Sequence, residues 1–188
     1  ESIATTTLFS KTVNDSFSIF IKLPKNYKKN SHQNHPVIYL LDANVYFDIV
    51  ADAMKENNSN SILVGIGYKD VFIMNTMRDR DYTFPKALPQ DSFQISGGAY
   101  NFLSFIYEEL NTYIDKNYRT DTTNRTLMGH SLGAYFTLYV LGQEMQNKHH
   151  YFKNYVAASP YLGYCNDALI KQFQNRTFNE SSNQLKLI

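Results

Sequence analysis

Residues 129–133 read Gly-His-Ser-Leu-Gly, one serine between two glycines at G-x-S-x-G spacing. A serine so placed can serve as the nucleophile of acyl transfer, provided a sharp strand-to-helix turn presents its hydroxyl. The alternative is a serine N-cap with glycine neighbours. The bare spacing arises by chance in about three chains per hundred of this composition, so the flanking sequence has to decide. "RTLMG" (125–129) reads as a short buried strand, and Leu132 to about Gln143 as a helix. Ser131 therefore falls where a nucleophile elbow must be. In that turn Gly129 and Gly133 avoid collisions that a side chain would make. The serine would take a strained backbone conformation costing on the order of 1–3 kcal/mol. Its hydroxyl would then stand above the carboxyl edge of a sheet, at the positive end of the following helix.

The elements that must hold this turn follow from hydrophobic periodicity. "SFSIFIKLP" (16–24) puts Phe17, Ile19, Ile21 and Leu23 on one face, as a half-buried antiparallel strand does. "PVIYLL" (36–41) and "SILVGIG" (61–67) are continuous apolar runs, the mark of strands buried on both faces. Helical spacing appears in 44–55 and in 99–118, where Phe102, Ile106, Leu110, Tyr113 and Ile114 form a buried stripe. "NYVAAS" (154–159) reads as a strand, 167–174 as a helix, and "LKLI" (185–188) as a strand beginning. Alternating strands and helices predict a three-layer α/β/α sandwich, mostly parallel, with an antiparallel N-terminal edge.

Composition narrows the function classes. The 188 residues are 43% hydrophobic and 19% charged, with a formal net charge of +1, which suits one globular domain spanning the chain. The densest basic group, "KNYKKN" (25–30), reads as a solvated loop, and no phosphate-tracking stripe points to nucleic acid. No apolar run is long enough for a membrane span. A single cysteine, Cys165, excludes an internal disulfide and a cysteine-rich metal site. Compartment and oligomeric state stay open.

Several segments in order carry a resemblance: "PVIYLLDAN" (36–44), "ILVGIGY" (62–68), "RDRDYTFP" (78–85), "GGAYNFLSFIYEEL" (97–110), "RTLMGHSLGAYF" (125–136) and "YVAASPYL" (155–162). Together they resemble the esterase D-like "putative esterase" family of α/β-hydrolases, and within it the ferric-siderophore (enterobactin-type) esterases. The resemblance implies an α/β-hydrolase fold and carboxylic ester hydrolysis, sometimes acyl transfer, on a small-molecule ester, with neither metal nor organic cofactor. Ser131 matches the nucleophile of that family. Leu132 would donate one backbone N–H to the oxyanion hole, and Asn44, after the strand ending in Asp42, the other. Losing one such donor costs about 3–4 kcal/mol. The family commonly reads Asp-Gly where this chain has Asp42-Ala43. If the glycine is needed for positive φ, Ala43 redirects the Asn44 amide.

Two motifs stay open between function and support. Arg78 and Arg80 of "RDRDYTFP" either hold an anionic substrate such as a catecholate siderophore, or pair with Asp81 to fix a loop. Gly97-Gly98 either cradles an anion or turns the chain into the helix after it. A triad of this fold also needs an acid and a histidine on later loops. His130, beside the nucleophile, is expected to point away from it into the packing. His32 and His35 precede the strand that carries the oxyanion loop, and His149 and His150 follow the helix starting at Ser131. None is expected to reach the serine. The sequence is therefore read as a fragment of a longer esterase that ends before its last strands, ahead of a natural pseudoenzyme that binds ligands or a chain completed by another.

Overall fold

The computed structural model describes residues 3–27, 32–147, 149–174 and 186–188. Its strands are β1 (Ile3–Ser10), β2 (Asp15–Lys22), β3 (His35–Leu40), β4 (Ile62–Gly67), β5 (Thr120–His130), β6 (Asn154–Ala158) and β7 (Lys186–Leu187). They form one sheet in the order β1-β2-β4-β3-β5-β6-β7. β2 is antiparallel to both β1 and β4, and the pairs from β4 through β7 are parallel. The antiparallel edge and parallel centre agree with the sequence. The expected terminal strand pairs with β6 through Lys186 and Leu187, while residue 185 lies outside the described residues.

Helices cover both faces. α1 (Ala43–Glu56) lies on one face, where Ala43, Phe47 and Ala51 pack on Leu40 and Leu63. α2 (Val71–Tyr82), the long helix Ala99–Asn117 and α5 (Leu132–Asn147) cover the other, and the larger core between them and the sheet includes Phe17, Tyr39, Val64, Phe102 and Phe136. A short α6 (Ala168–Gln174) follows β6. Side-chain alternation assigns each face. In β4, Ile62, Val64 and Ile66 join the larger core, while Leu63 joins the α1 side. Gly67 continues the α1 face. A Cβ there would stand 2.5 Å from the Asn44 Oδ1, so its bare backbone admits that side chain.

The long helix is not uniform. It runs as α3 (Ala99–Ser104), a π segment (Phe105–Leu110) and α4 (Asn111–Asn117). Of the predicted stripe, Phe102, Ile106, Leu110 and Ile114 are fully buried. The wider π turn brings Glu109 to the β1–β2 turn, where its carboxylate accepts from the Lys11 and Thr12 N–H groups and the Ser10 and Thr12 hydroxyls.

One expectation needs correcting. Residues 78–82 are the last turns of α2 and not a loop. Asp70 caps that helix by accepting from the Phe72 and Ile73 N–H groups. Its sequence hides it because the polarity is inverted. Phe72 is 92% exposed, whereas Asp81 is 1% exposed, so no apolar stripe marks the helix.

Candidate active site

Ser131 lies between β5 and α5 with φ 54°, the left-handed conformation expected of an elbow. An ordinary serine N-cap takes the extended region, so the backbone separates the two readings of the motif. Local sterics explain the glycines. A Cβ on Gly129 would sit 2.4 Å from the carbonyl carbon and oxygen of Gly133, a distance no side chain survives. Gly133 is packed beneath the loop after β3. A Cβ there would lie 3.2 Å from the Asp42 Oδ2 and 3.5 Å from the Leu41 Cβ. The elbow is also tied to β6. The Ser131 N–H donates to the Ala158 carbonyl at 3.0 Å, and the Ser131 carbonyl accepts from the Tyr161 N–H at 3.1 Å.

Leu132 opens α5 and is buried. Asn44 is the second residue of α1. Amides in a first helical turn have no intrahelical acceptor, so both N–H groups are of the type that can receive a ligand oxygen. The Asn44 side chain is fixed: its Nδ2 donates to the Tyr68 carbonyl at 3.0 Å, and its Oδ1 accepts from the Tyr68 N–H at 2.7 Å. The positive φ of this loop sits at Asp42 (φ 54°, ψ 40°), one residue earlier than the Asp-Gly comparison suggests. Ala43 is the first helical residue, so an alanine there imposes no left-handed strain.

Arg78 and Arg80 are both engaged by carboxylates. Arg78 donates from Nε and Nη2 to the two oxygens of Asp42, at 2.9 and 2.7 Å. Arg80 donates from Nε and Nη2 to Asp81 and from Nη1 to Asp15 on β2. Asp81 also accepts from the Tyr68 hydroxyl at 3.2 Å. Burial raises the Asp81 carboxyl above the ordinary range, although Arg80 and the Tyr68 hydroxyl pull it down. The pairing of Asp81 with an arginine is one of the two readings that the sequence left open. Sequence reading missed Asp42 as the partner of Arg78, because 36 residues separate them and nothing local signals the contact. Gly97 and Gly98 form a turn whose amides are already committed: Gly97 N–H donates to the Thr83 hydroxyl and Gly98 N–H to the Arg80 carbonyl.

The histidines are placed by strand direction. His130 alternates with Gly129 and so faces α1, where its Nδ1 lies 2.9 Å from the Tyr46 hydroxyl. It is exposed, and so is not in the packing as the sequence reading expected. His35 begins β3, at the opposite end from the elbow, with Nδ1 2.9 Å from the Asn60 carbonyl. His149 and His150 follow the 16-residue α5, whose length is about 24 Å at 1.5 Å per residue. His149 stacks among Tyr107 and Tyr151, and His150 lies 3.2 Å from Glu144. His32 lies just before His35. Among the described residues no group of three or more His, Cys, Asp or Glu could hold a metal ion, and no helix is long and apolar enough to cross a membrane.

The family described as "Putative esterase" matches residues 10–186. Ferri-bacillibactin esterase BesA of Bacillus subtilis is 33% identical over 178 residues, 87% of this chain and 60% of that protein. Apo-salmochelin esterase of Escherichia coli is 31% identical over 150 residues, 73% of this chain and 45% of that protein. Among solved structures, the BES protein from Bacillus cereus superposes with a TM-score of 0.79 at 31% identity, covering 92% of this chain and 66% of the other. The chain thus spans about half to two thirds of the length of these relatives. With the elbow, the sheet order and matches of this extent together, the chain belongs to the "Putative esterase" family of α/β-hydrolases.

Proposed function

We propose that this chain carries the nucleophile and oxyanion-binding amides of a serine carboxylic-ester hydrolase acting on small-molecule esters of the siderophore class. The observation that carries this reading is the left-handed Ser131 between β5 and α5. A serine held left-handed at a strand-to-helix turn has the backbone of a nucleophile elbow. Ser131 Oγ would attack the ester carbonyl, and the N–H groups of Leu132 and Asn44 would receive the developing oxyanion. Identity to a ferri-bacillibactin esterase and an apo-salmochelin esterase supports the substrate class.

Attack also requires a base within about 3 Å of the hydroxyl, directly or through one water. The placement of the described histidines favours a second reading for these 188 residues taken by themselves, ester binding with little turnover. Both are tested on the longest natural polypeptide that contains this chain. An activated short-acyl ester and a trilactone siderophore should be hydrolysed, and Ser131→Ala should lower kcat on the order of 10⁵–10⁶-fold with the fold intact. Ester binding that survives Ser131→Ala, with no turnover in the parent polypeptide, supports a binding protein instead.

A further inference from the structure

We propose that Arg78 is a positioning residue: it holds Asp42 in its left-handed turn and so sets the direction of the amides that open α1. The inference rests on the esterase reading for its catalytic consequence, but its structural part stands on this loop alone. Asp42 is a non-glycine residue at φ 54° and is 1% exposed. Left-handed backbone disfavours an L-residue, so the turn persists because its surroundings fix it. Three restraints converge there. The carboxylate takes the two-pronged guanidinium of Arg78. The Asp42 N–H donates to the Tyr82 hydroxyl at 3.2 Å. Its carbonyl accepts from the Val45 and Tyr46 N–H groups.

Arg78 and Tyr82 are one turn apart on α2 and therefore share a face. The guanidinium carbon stands 5.6 Å from the centre of the Tyr82 ring, so one helix face grips both the side chain and the backbone of the same residue. The gripped carboxylate in turn rests on the first turn of α5, 3.2 Å from where a Cβ of Gly133 would be. Asp42 is thus the point at which α2, the loop after β3 and the nucleophile helix meet. A shift there moves the Ala43 and Asn44 amides relative to Ser131. The same geometry argues against direct substrate contact. The Nε–Nη2 fork of Arg78 already has a carboxylate filling it, so an anionic ester would meet only the remaining edge of a guanidinium whose charge is already paired. Lysine, a point charge without a fork, cannot reproduce the grip.

The test uses the longest natural polypeptide containing the chain, with Arg78→Gln, Arg78→Lys and the double variant Arg78→Gln/Asp42→Asn. Turnover is compared on a neutral ester and an anionic ester with the same leaving group, and amide hydrogen exchange is followed over residues 42–46. Displaced amides should lower kcat about 10²-fold in Arg78→Gln for both esters, with KM changed less than about threefold. Arg78→Lys should be intermediate, at about tenfold, and keeps the test open should the glutamine variant fail to fold. Exchange at 42–46 should accelerate in both, and the double variant should lose no more than Arg78→Gln alone, since both changes break one interaction. A KM rise confined to the anionic ester would make Arg78 a substrate contact and overturn the proposal. Unaltered exchange at 42–46 would overturn it equally. If the parent polypeptide shows no Ser131-dependent turnover, the esterase reading fails, and the exchange measurement still decides whether Arg78 holds the loop.

Discussion

At the carboxyl ends of β3 and β5 the backbone turns through two left-handed residues, Asp42 and Ser131, and two helices begin at once. At the amino ends of the parallel strands the loops are tied down by carboxylates that each gather several donors. Asp115 accepts from Thr120 and from Arg125. Glu144, 3% exposed, accepts from the Tyr155 hydroxyl and from the Tyr151 and Phe152 N–H groups. Both ends contain a buried carboxylate, but the use differs. At the amino end it joins ordinary loops to strands. At the carboxyl end the Asp42 carboxylate holds a backbone that would otherwise relax, and leaves the first-turn amides of α1 and α5 facing a common edge. Strain is thus concentrated at one end and its support comes from the rest of the fold.

The sharpest way to break this contrast is Gly129→Ala. Its methyl would meet the Gly133 backbone at 2.4 Å, and neither strand nor helix can yield without dismantling the turn. Destabilisation should exceed about 3 kcal/mol in chemical denaturation. A variant that keeps parental stability would mean that the close approach of β5 and α5 is not required.

Glu144→Ala probes the other end. Removing the carboxylate leaves the buried Tyr155 hydroxyl, the buried Phe152 N–H and the half-buried Tyr151 N–H without their acceptor, at a cost of about 2–4 kcal/mol. Burial and the neighbouring carboxylate already raise the Tyr155 phenol far above its ordinary value, so it stays a neutral donor that needs that acceptor. Stability should fall while the kcat of the folded fraction, measured on the longest natural polypeptide, stays within about twofold, because Glu144 lies twelve residues along α5 from Leu132, about 18 Å from the elbow. A large fall in kcat would show that the two ends are coupled.

A smaller effect of opposite sign sharpens the comparison. Ser131→Gly removes the proposed nucleophile and supplies a residue that accepts φ 54° without penalty. Relief of strain, less the chain entropy of glycine, should give a gain of about 0.5–1 kcal/mol in urea unfolding, together with loss of turnover. A loss of stability would mean that Ser131 is held by favourable contacts and is not strained.

How much of this was legible follows from which forces are local. The elbow could be read because its requirements, a strand, two glycines, a serine and a helix, lie within a dozen residues and are steric. Strands β3 and β4 could be read because burial on both faces leaves unbroken apolar runs. α2 could not, since Phe72 is outside and Asp81 inside. β1 is an edge strand of small and polar residues, with Phe9 itself 55% exposed, so it carries little pattern. The resemblance pointed to the loop after β3 and raised a positive φ at Ala43 as a condition, whereas the left-handed residue is Asp42. Only the contacts of Asp42 with Arg78 and Tyr82 fix that position, and sequence spacing holds no record of pairs 36 and 40 residues apart.

The smallest expected effect lies at the sheet edge, away from both ends. Glu109 reaches the β1–β2 turn from the π segment and accepts four hydrogen bonds. Burial by itself would raise its carboxyl, but the bonds from Thr12, Lys11 and Ser10 outweigh that and hold it below the ordinary carboxylate range. A depressed folded value means that the interaction is fully present above the unfolded pKa, about 4.3, and is lost as pH falls through the folded one. Amides of residues 11–13 should therefore lose protection, after correction for intrinsic exchange, as pH drops from about 5 to below the folded pKa. Glu109→Gln should remove that pH dependence and leave the turn weakened at every pH. Because the carboxylate is only partly buried, solvent screens it and global stability should hardly move. Asp42 and Ser131 lie on other loops and should keep their exchange behaviour over the same pH range. If protection at 42–46 fell in step with 11–13, the edge hairpin would be part of the support for the strained carboxyl end, through Asp15 and Arg80.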